Sequence, residues 1–340
     1  MSSPSPVAVV GATGAVGQEF LRLFEERAFP VSELRLLASA RSVGKTFRFR
    51  DVEVPVQEAK PESFEGIRHA FFSAGASRSR ELVPHALAAG AYVYDNSSAF
   101  RMDPAVPLVV PEVNWNAVKA EDRLFSVPNC TAILLLMAVH PLRALGEIDR
   151  LIVSTYQSAS GGGAQVMQEL LDETREALSP GSVGTIQKVL PHPYAFNLFS
   201  HNTKIGADGS NEEEAKVVEE SRKILGMPDL RINVTCVRVP VLRAHTETVT
   251  IEFAGPAPSE EAVREALAAA PGVKVVDDRE ANHFPMPAEA SGQGDVLVGR
   301  IRKDPTSDHG IRLMLAGDQL LKGAALNAVQ IAERIVARDA

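Results

Sequence analysis

In the segment "FSVPNCTAILLLMAVHPL", Cys130 directly precedes an apolar run of helical character, in a chain with only two cysteines. A thiol at a helix start faces unpaired backbone N–H groups and the positive end of the helix dipole, and both favour the thiolate. Asn129 or Cys130 itself would cap this helix, with Thr131 to Leu145 following. The plainer alternative is a small residue buried at an element boundary, since free cysteine packs well there. As a nucleophile, the sulfur would need a general base, a donor for a developing oxyanion and, for phosphate chemistry, cations. His245, in "VPVLRAHTETV", is one base candidate among eight histidines. Arg238 precedes it in an alternating segment, where an inward-facing arginine needs an anion to offset its burial. The short spacing between the two suggests that they follow one another through a strand turn. Glu213 and Lys216 share one face of a helix expected over "NEEEAKVVEESRK", where they either reach one pocket or form a solvated surface pair. Cys236, within "INVTCVRV", reads as buried packing.

A second chemistry is written at the N-terminus. In "VAVVGATGAVGQEF", Gly11, Gly14 and Gly17 stand between an expected strand and an expected helix. The spacing is one residue looser than the usual dinucleotide fingerprint, but the context is that of one. The glycines let the backbone approach a pyrophosphate, which would rest on the N–H groups of Thr13, Ala15 and Val16. An NAD site carries Asp or Glu at the end of the second strand, for the ribose 2′-hydroxyl. Here the strand ends in "LASARS", which has no acid. Ser39, Arg41 and Ser42 offer a cation and two hydroxyls instead, suited to a 2′-phosphate, so the expected cofactor is NADP. Asn96, in "YVYDNSSAF", closes another strand at the carboxyl edge of the same sheet, where ligands bind in such folds.

The elements that must position these residues fall into two groups. Up to about residue 130, short apolar strands ("VAVV", "LRLLA", "HAFFSAG", "AYVYDNSS") alternate with amphipathic helices, the pattern of a doubly wound parallel sheet. Beyond it come "RLIVSTYQSAS", two helices near 163–178 and 211–225, and then "RINVTCVRVPV", "TETVTIEF", "VKVVDD", "DVLVGRIRK" and "IRLMLAG". Their period-two alternation suits a mixed, mostly antiparallel sheet covered by helices on one face. "DQLLKGAALNAVQIAERIVA" is a helix long enough to return to the first domain. The expectation is therefore an α/β chain with a Rossmann-like, nucleotide-binding domain over 1–130 plus 319–340. This domain would enclose an α+β catalytic and dimerisation domain over 131–318.

Composition narrows the class. The chain has 340 residues, of which 45% are hydrophobic, enough for two cores, and a net charge of −8. Without a basic stripe, nucleic acid is not an expected partner. The longest apolar run, Ala132 to Val139, is too short to cross a bilayer, and the N-terminus lacks a secretory pattern. Two cysteines suit a reducing cytoplasm, and the scattered histidines lack metal-ligand spacing, so no metal is expected.

A nucleophilic cysteine and a hydride carrier together suggest thioester chemistry. Thiolate adds to an aldehyde, hydride leaves the thiohemiacetal, and phosphate takes the acyl group. In reverse, an acyl phosphate acylates the sulfur and the thioester is reduced. At this point "GATGAVG", "DNSSAFR", "PNCTA", "YQSASGGG", "NEEEAK", "RVPVLRAH" and "DQLLKGAALN" resemble, in order and nearly end to end, the bacterial aspartate-semialdehyde dehydrogenases. The resemblance implies Cys130 as the acyl-thioester nucleophile, His245 as general acid/base and Gln157 as the residue that positions the substrate at the reacting carbon. It implies Arg238 on the substrate α-carboxylate, Glu213 on the α-ammonium (with Glu212 and Glu214 as neighbours able to replace it), and Lys216 with Arg101 on phosphate. It also implies cofactor contacts from Thr13 to Val16, Arg41, Ser42, Ser160, Gly161 and Gln319, and a homodimer. The implied reaction is the NADP-dependent, reversible conversion of L-4-aspartyl phosphate to L-aspartate 4-semialdehyde, in the biosynthesis of lysine, diaminopimelate, threonine, methionine and isoleucine. The alternatives are an N-acetylglutamyl-phosphate reductase, whose substrate lacks a free ammonium, and a catalytically silent paralogue that acts as a binding protein. Glyceraldehyde-3-phosphate dehydrogenase differs in both its nucleotide loop and its cysteine motif.

Overall fold

The computed structural model describes residues 3–178 and 187–339. The chain divides into two compact units, one formed by residues up to Asn129 with those from Ala324 onward, the other by Cys130–Gly323.

The first unit is built on β1 (Ser5–Val10), β2 (Val31–Ala38), β3 (Thr46–Phe49), β4 (Val52–Glu58), β5 (His69–Phe72), β6 (Tyr92–Asp95) and β7 (Leu124–Ser126), with helices α1 (Ala15–Glu26), α2 (Ala76–Ala88) and the single turn α3 (Pro111–Asn114). Sheet order is β3-β4-β2-β1-β5-β6-β7, and every pair is parallel except β3–β4. Strand order reverses on either side of β1, so the carboxyl ends of β1 and β5 open the crevice where doubly wound sheets take ligands. The β3–β4 hairpin escapes a sequence reading because its two-residue turn, Arg50–Asp51, has no glycine or asparagine. Arg50 itself adopts the left-handed conformation, with φ +53. β1, β5 and β6 are mostly apolar and, apart from Ser5 and Pro6, buried, as a parallel sheet covered on both faces requires.

The second unit opens with α4 (Cys130–Val139), in which Thr131 to Val139 are all buried, so this helix forms core on every side. The expected single helix from Thr131 to Leu145 is interrupted. Pro141 lacks an N–H and cannot continue an α-helix, and the chain tightens into a 3₁₀ turn over His140–Leu145. The sheet comprises β8 (Ile148–Gln157), β9 (Phe199–Ser200), β10 (Arg231–Arg238), β11 (His245–Phe253), β12 (Val273–Val275), β13 (Val296–Lys303) and β14 (Gly310–Gly317). Its order is β12-β13-β14-β11-β8-β10-β9, mixed and mostly antiparallel. Helices α5 (Ala164–Ala177), α6 (Glu212–Leu225), α7 (Glu260–Ala268) and the turn α8 (Pro287–Ala290) complete it. β8 lies between β10 and β11, so Arg238 and His245 are not joined by the expected strand turn. The intervening residues cross the end of β8, where Val241 and Leu242 carbonyls accept from the Ala159 and Ser160 N–H groups. After β14 a π-helical turn, Leu321–Ala325, leads into α9 (Leu326–Arg338), which belongs to the first unit.

Candidate active site

Strand register builds the centre of the second unit. Arg238 pairs with Gln157, Thr246 with Tyr156 and His245 with Gly317, so Arg238, Gln157 and His245 form one row at the end of three adjacent strands. α4 begins at Cys130 itself, and Cys130 Sγ lies 3.6 Å from His245 Nε2. His245 is buried, and its Nδ1 accepts from the Ser158 backbone N–H at 3.0 Å, with Ser158 Oγ also at 3.0 Å. A backbone N–H can only donate, so Nδ1 is unprotonated and the neutral ring carries its proton on Nε2, toward the sulfur. Burial, reinforced by the Arg238 charge, lowers the His245 pKa to about 3.

Two glycines give this pair its room. A Cβ on Gly161 would stand 2.9 Å from His245 Cε1 and 3.1 Å from Nε2, and one on Gly323 would stand 2.9 Å from Cys130 Cβ. Gly323 carries no signal in the sequence, because its close neighbour arrives only through the π-helical turn. Gln319 fixes the loop behind the histidine. Its amide nitrogen donates to Ser160 Oγ, and its oxygen accepts from the Ala244 N–H at 3.1 Å.

Along the same row, Gln157 Nε2 donates to Thr131 Oγ1 at 2.7 Å and to Glu213 Oε1 at 3.0 Å. Glu213 is buried at 6% exposure, Lys216 Nζ lies 3.8 Å from its Oε2, and a merely solvated surface pair is thereby ruled out. Its neighbours are committed elsewhere. Glu214 completes the capping box with Asn211 and accepts from the Cys236 N–H at 2.9 Å, while Glu212 is exposed. Arg238 is buried, with Nε donating to Asn202 Oδ1 at 2.7 Å. Cys236 is fully buried one pleat below, where desolvation pushes its thiol up, which suits packing.

The first unit carries the remaining predicted residues. Gly11 has φ +89, and a Cβ there would stand 2.3 Å from the Ser73 carbonyl; a Cβ on Gly17 would stand 2.3 Å from the Gly11 carbonyl. Gly14 occupies the N-cap of α1 without a side-chain cap, so Thr13, Ala15 and Val16 present a helix start open to an anion. This cradle fits a dinucleotide pyrophosphate. Ser39, Arg41 and Ser42 follow the end of β2 in a short 3₁₀ turn, with Ser39 and Arg41 exposed. Asn96 immediately follows β6; its Oδ1 is buried without a hydrogen-bond partner among the described residues. Arg101 Nη2 donates to the Asn96 carbonyl at 2.8 Å and Nε to that of Val127 at 2.9 Å, which anchors this arginine in its own unit. Among the described residues no helix is long and apolar enough to cross a membrane, and no three His, Cys, Asp or Glu gather as metal ligands.

A parallel nucleotide-type sheet in one unit and, in the other, a helix-start cysteine beside a strand histidine are the features of a semialdehyde dehydrogenase architecture. Residues 6–121 match the family described as semialdehyde dehydrogenase, NAD binding domain, and residues 139–322 match its dimerisation domain. An aspartate-semialdehyde dehydrogenase of Synechocystis sp. is 52% identical over 338 residues, covering 99% of each chain. The crystal structure of aspartate semialdehyde dehydrogenase II complexed with ASA from Vibrio cholerae is similar at TM-score 0.94 and 40% identity, covering 99% of each chain. The enzyme with NADP from Candida albicans is similar at TM-score 0.73 and 25% identity, over 97% of this chain and 98% of that one. The chain belongs to the aspartate-semialdehyde dehydrogenase family.

Proposed function

We propose that this chain reduces L-4-aspartyl phosphate to L-aspartate 4-semialdehyde with NADPH, reversibly, releasing phosphate. The observation that carries the reading is Cys130 at the start of α4 with its sulfur 3.6 Å from His245 Nε2, in the row that also holds Gln157 and Arg238. The thiolate attacks the acyl phosphate carbon, the C–O bond to phosphate breaks, and a thioester forms on Cys130. When bound, the nicotinamide supplies the hydride that reduces this thioester. The resulting thiohemiacetal oxyanion collapses, expelling the Cys130 thiolate and releasing the aldehyde. His245 is the hydrogen-bond partner of the developing charge: its Nε2–H meets first the thiolate and then the oxyanion, following the charge from sulfur to oxygen without changing its own protonation state.

Arg238 suits the substrate α-carboxylate, and Glu213, held by Gln157, suits the α-ammonium. Lys216 and Arg101 are assigned to phosphate. Thr13 to Val16 are assigned to the pyrophosphate, Ser160, Gly161 and Gln319 to the nicotinamide end, and Ser39, Arg41 and Ser42 to the 2′-phosphate of NADP. The NADP-bound relative supports this cofactor choice. We assign residues 1–130 plus 319–340 to the cofactor and 131–318 to catalysis and dimerisation, and the protein to the cytoplasm as a homodimer. Placement in lysine, diaminopimelate, threonine, methionine and isoleucine biosynthesis follows from the product. Aspartate semialdehyde, NADP and phosphate should give phosphate-dependent reduction of the nicotinamide that Cys130→Ala abolishes. Turnover of the N-acetylglutamyl substrate alone would reassign the enzyme.

A further inference from the structure

Three consecutive residues, His201, Asn202 and Thr203, tie together the two groups assigned to the substrate's charges. The backbone carries the first tie. β9 ends at Ser200, which pairs with Val237, and the His201 N–H continues this ladder by donating to the Cys236 carbonyl at 2.9 Å. Asn202 makes the second, accepting from Arg238 Nε at 2.7 Å through its Oδ1. With Nε held by Asn202 and the Tyr194 hydroxyl also beside the guanidinium, the orientation in which Arg238 meets a carboxylate is constrained. Arg238 Nη1 lies 4.0 Å from the position a Cβ on Gly161 would take, the same glycine that abuts His245.

Thr203 makes the third tie. Its Oγ1 accepts from the Glu213 N–H at 3.2 Å, in the first turn of α6. The Thr203 hydroxyl in turn lies 3.2 Å from His201 Nδ1. Burial, with the Arg238 charge beside it, lowers the His201 pKa to about 4, so a neutral ring shares this hydrogen bond with the hydroxyl. The next residue continues the pattern, with the Lys204 carbonyl accepting from the Glu212 N–H at 2.9 Å. A single strap is thus hydrogen-bonded to β10 on one side and to the start of α6 on the other.

We propose that His201–Thr203 is a positioning strap that sets the separation of Arg238 from Glu213, and so selects substrates with carboxylate and ammonium on one carbon. The proposal rests on the substrate roles given above for those two residues. None of the strap residues takes part in bond making. Their contribution is to hold two opposite charges at one spacing, which is what distinguishes an α-amino acid from a desamino or N-acylated analogue.

The test is steady-state kinetics with aspartate semialdehyde and with succinate semialdehyde, its analogue without the ammonium. Asn202→Ala and Thr203→Val should each raise KM for aspartate semialdehyde about tenfold, the weight of one hydrogen bond to a charged or site-defining group. Values of kcat should stay within about twofold, since the sulfur and imidazole are untouched. The preference for aspartate semialdehyde over succinate semialdehyde should shrink in step. Asn202→Asp and Thr203→Ser, which keep the acceptor oxygens, should restore both. Unchanged KM and unchanged preference in an active enzyme overturn the strap and leave the reaction assignment standing. If the wild-type protein does not turn over aspartate semialdehyde, the reaction assignment fails instead. The strap is then judged by calorimetry with the same compound on Cys130→Ala protein, where Asn202→Ala must weaken binding about tenfold; undetectable or unchanged binding overturns it.

Discussion

The Ser158 backbone N–H donates to His245 Nδ1 across 3.0 Å, and this one bond decides how the imidazole meets Cys130. An amide proton facing Nδ1 opposes a second ring proton there, and burial together with Arg238 lowers the pKa to about 3. The ring is therefore neutral at pH values well above 3. A plot of kcat/KM against pH should lack the acid limb near 6.5 that an unperturbed histidine would give. A limb near that value that disappears in His245→Gln would refute the neutral-donor assignment.

Stability should respond to acid more strongly than activity. His69 stacks between Tyr92 and Tyr94, and burial lowers its pKa to about 4, as it does for His201. A histidine whose folded pKa is depressed binds its proton only on unfolding, so its penalty is absent above about 6.5 and grows as pH falls toward the folded value. Each such residue should add about 1.4 kcal/mol of stability lost per pH unit between about 6 and 4. Urea titrations across that range should show a shallower slope for His69→Gln than for the parent protein. Equal slopes would mean that His69 titrates normally.

The sequence singled out Cys130 as the candidate nucleophile, but it could not show what lies against it. Cys130 is legible because a cysteine before an apolar helix is a local pattern, and the glycine turn after β1 is local as well. The partner histidine is 115 residues away, and only strand order places it. Reading Arg238 and His245 as joined by a strand turn failed because parallel pairing of β8 with β10 inserts a strand between them. Three successive glutamates look alike in sequence; burial singles out Glu213, and the capping box occupies Glu214. The strap over 201–203 left no trace, since its role depends on contacts with β10 and α6 rather than on its own composition.

Glu247 offers a separate test of the site's interior. It stands two residues after His245 on the same strand face, opposite Thr155 and Leu315, fully buried. Neither carboxyl oxygen has a hydrogen-bond partner among the described residues. Burial, aided by the nearby Glu213 charge, raises its pKa well above the usual carboxylate range, so the folded protein holds it protonated. The unfolded chain releases that proton above about 4.5, and stability should therefore fall as pH rises from there toward the folded pKa. Glu247→Gln keeps the shape without a titratable proton, so its advantage over the parent should widen by about 1.4 kcal/mol per pH unit above about 5, until the folded pKa is reached. Parallel stability curves would show that Glu247 is ionised in the native state.

The proposed preference for NADP rests on Arg41, which is exposed and makes no ion pair among the described residues. Removing its guanidinium should cost little stability, because it holds nothing in the fold. Arg41→Ala should raise KM for NADP at least tenfold or so while leaving that for NAD nearly unchanged, the loss of one charge-assisted phosphate contact. An unaltered NADP/NAD ratio would assign the 2′-phosphate to other groups.

The glycines that border the Cys130–His245 pair should be far less tolerant than their lack of side chain suggests. Alanine at Gly161 would press its Cβ to 2.9 Å from His245 Cε1, and alanine at Gly323 to 2.9 Å from Cys130 Cβ. Neither glycine has the positive φ that makes alanine strained in itself, so the penalty comes from displacing the imidazole or the sulfur. Overpacking of this kind costs about 1–3 kcal/mol of stability, which a protein of this size can absorb. A displacement approaching 1 Å at the reacting atoms costs on the order of a hundredfold in rate. Gly161→Ala and Gly323→Ala should therefore remain folded by circular dichroism while kcat falls by roughly that factor. Gly255→Ala, where a Cβ meets nothing within 4 Å, should match the parent in both measurements. Full activity in both site variants would mean that the pair can shift without loss, and would separate catalysis from the spacing found between Cys130 and His245.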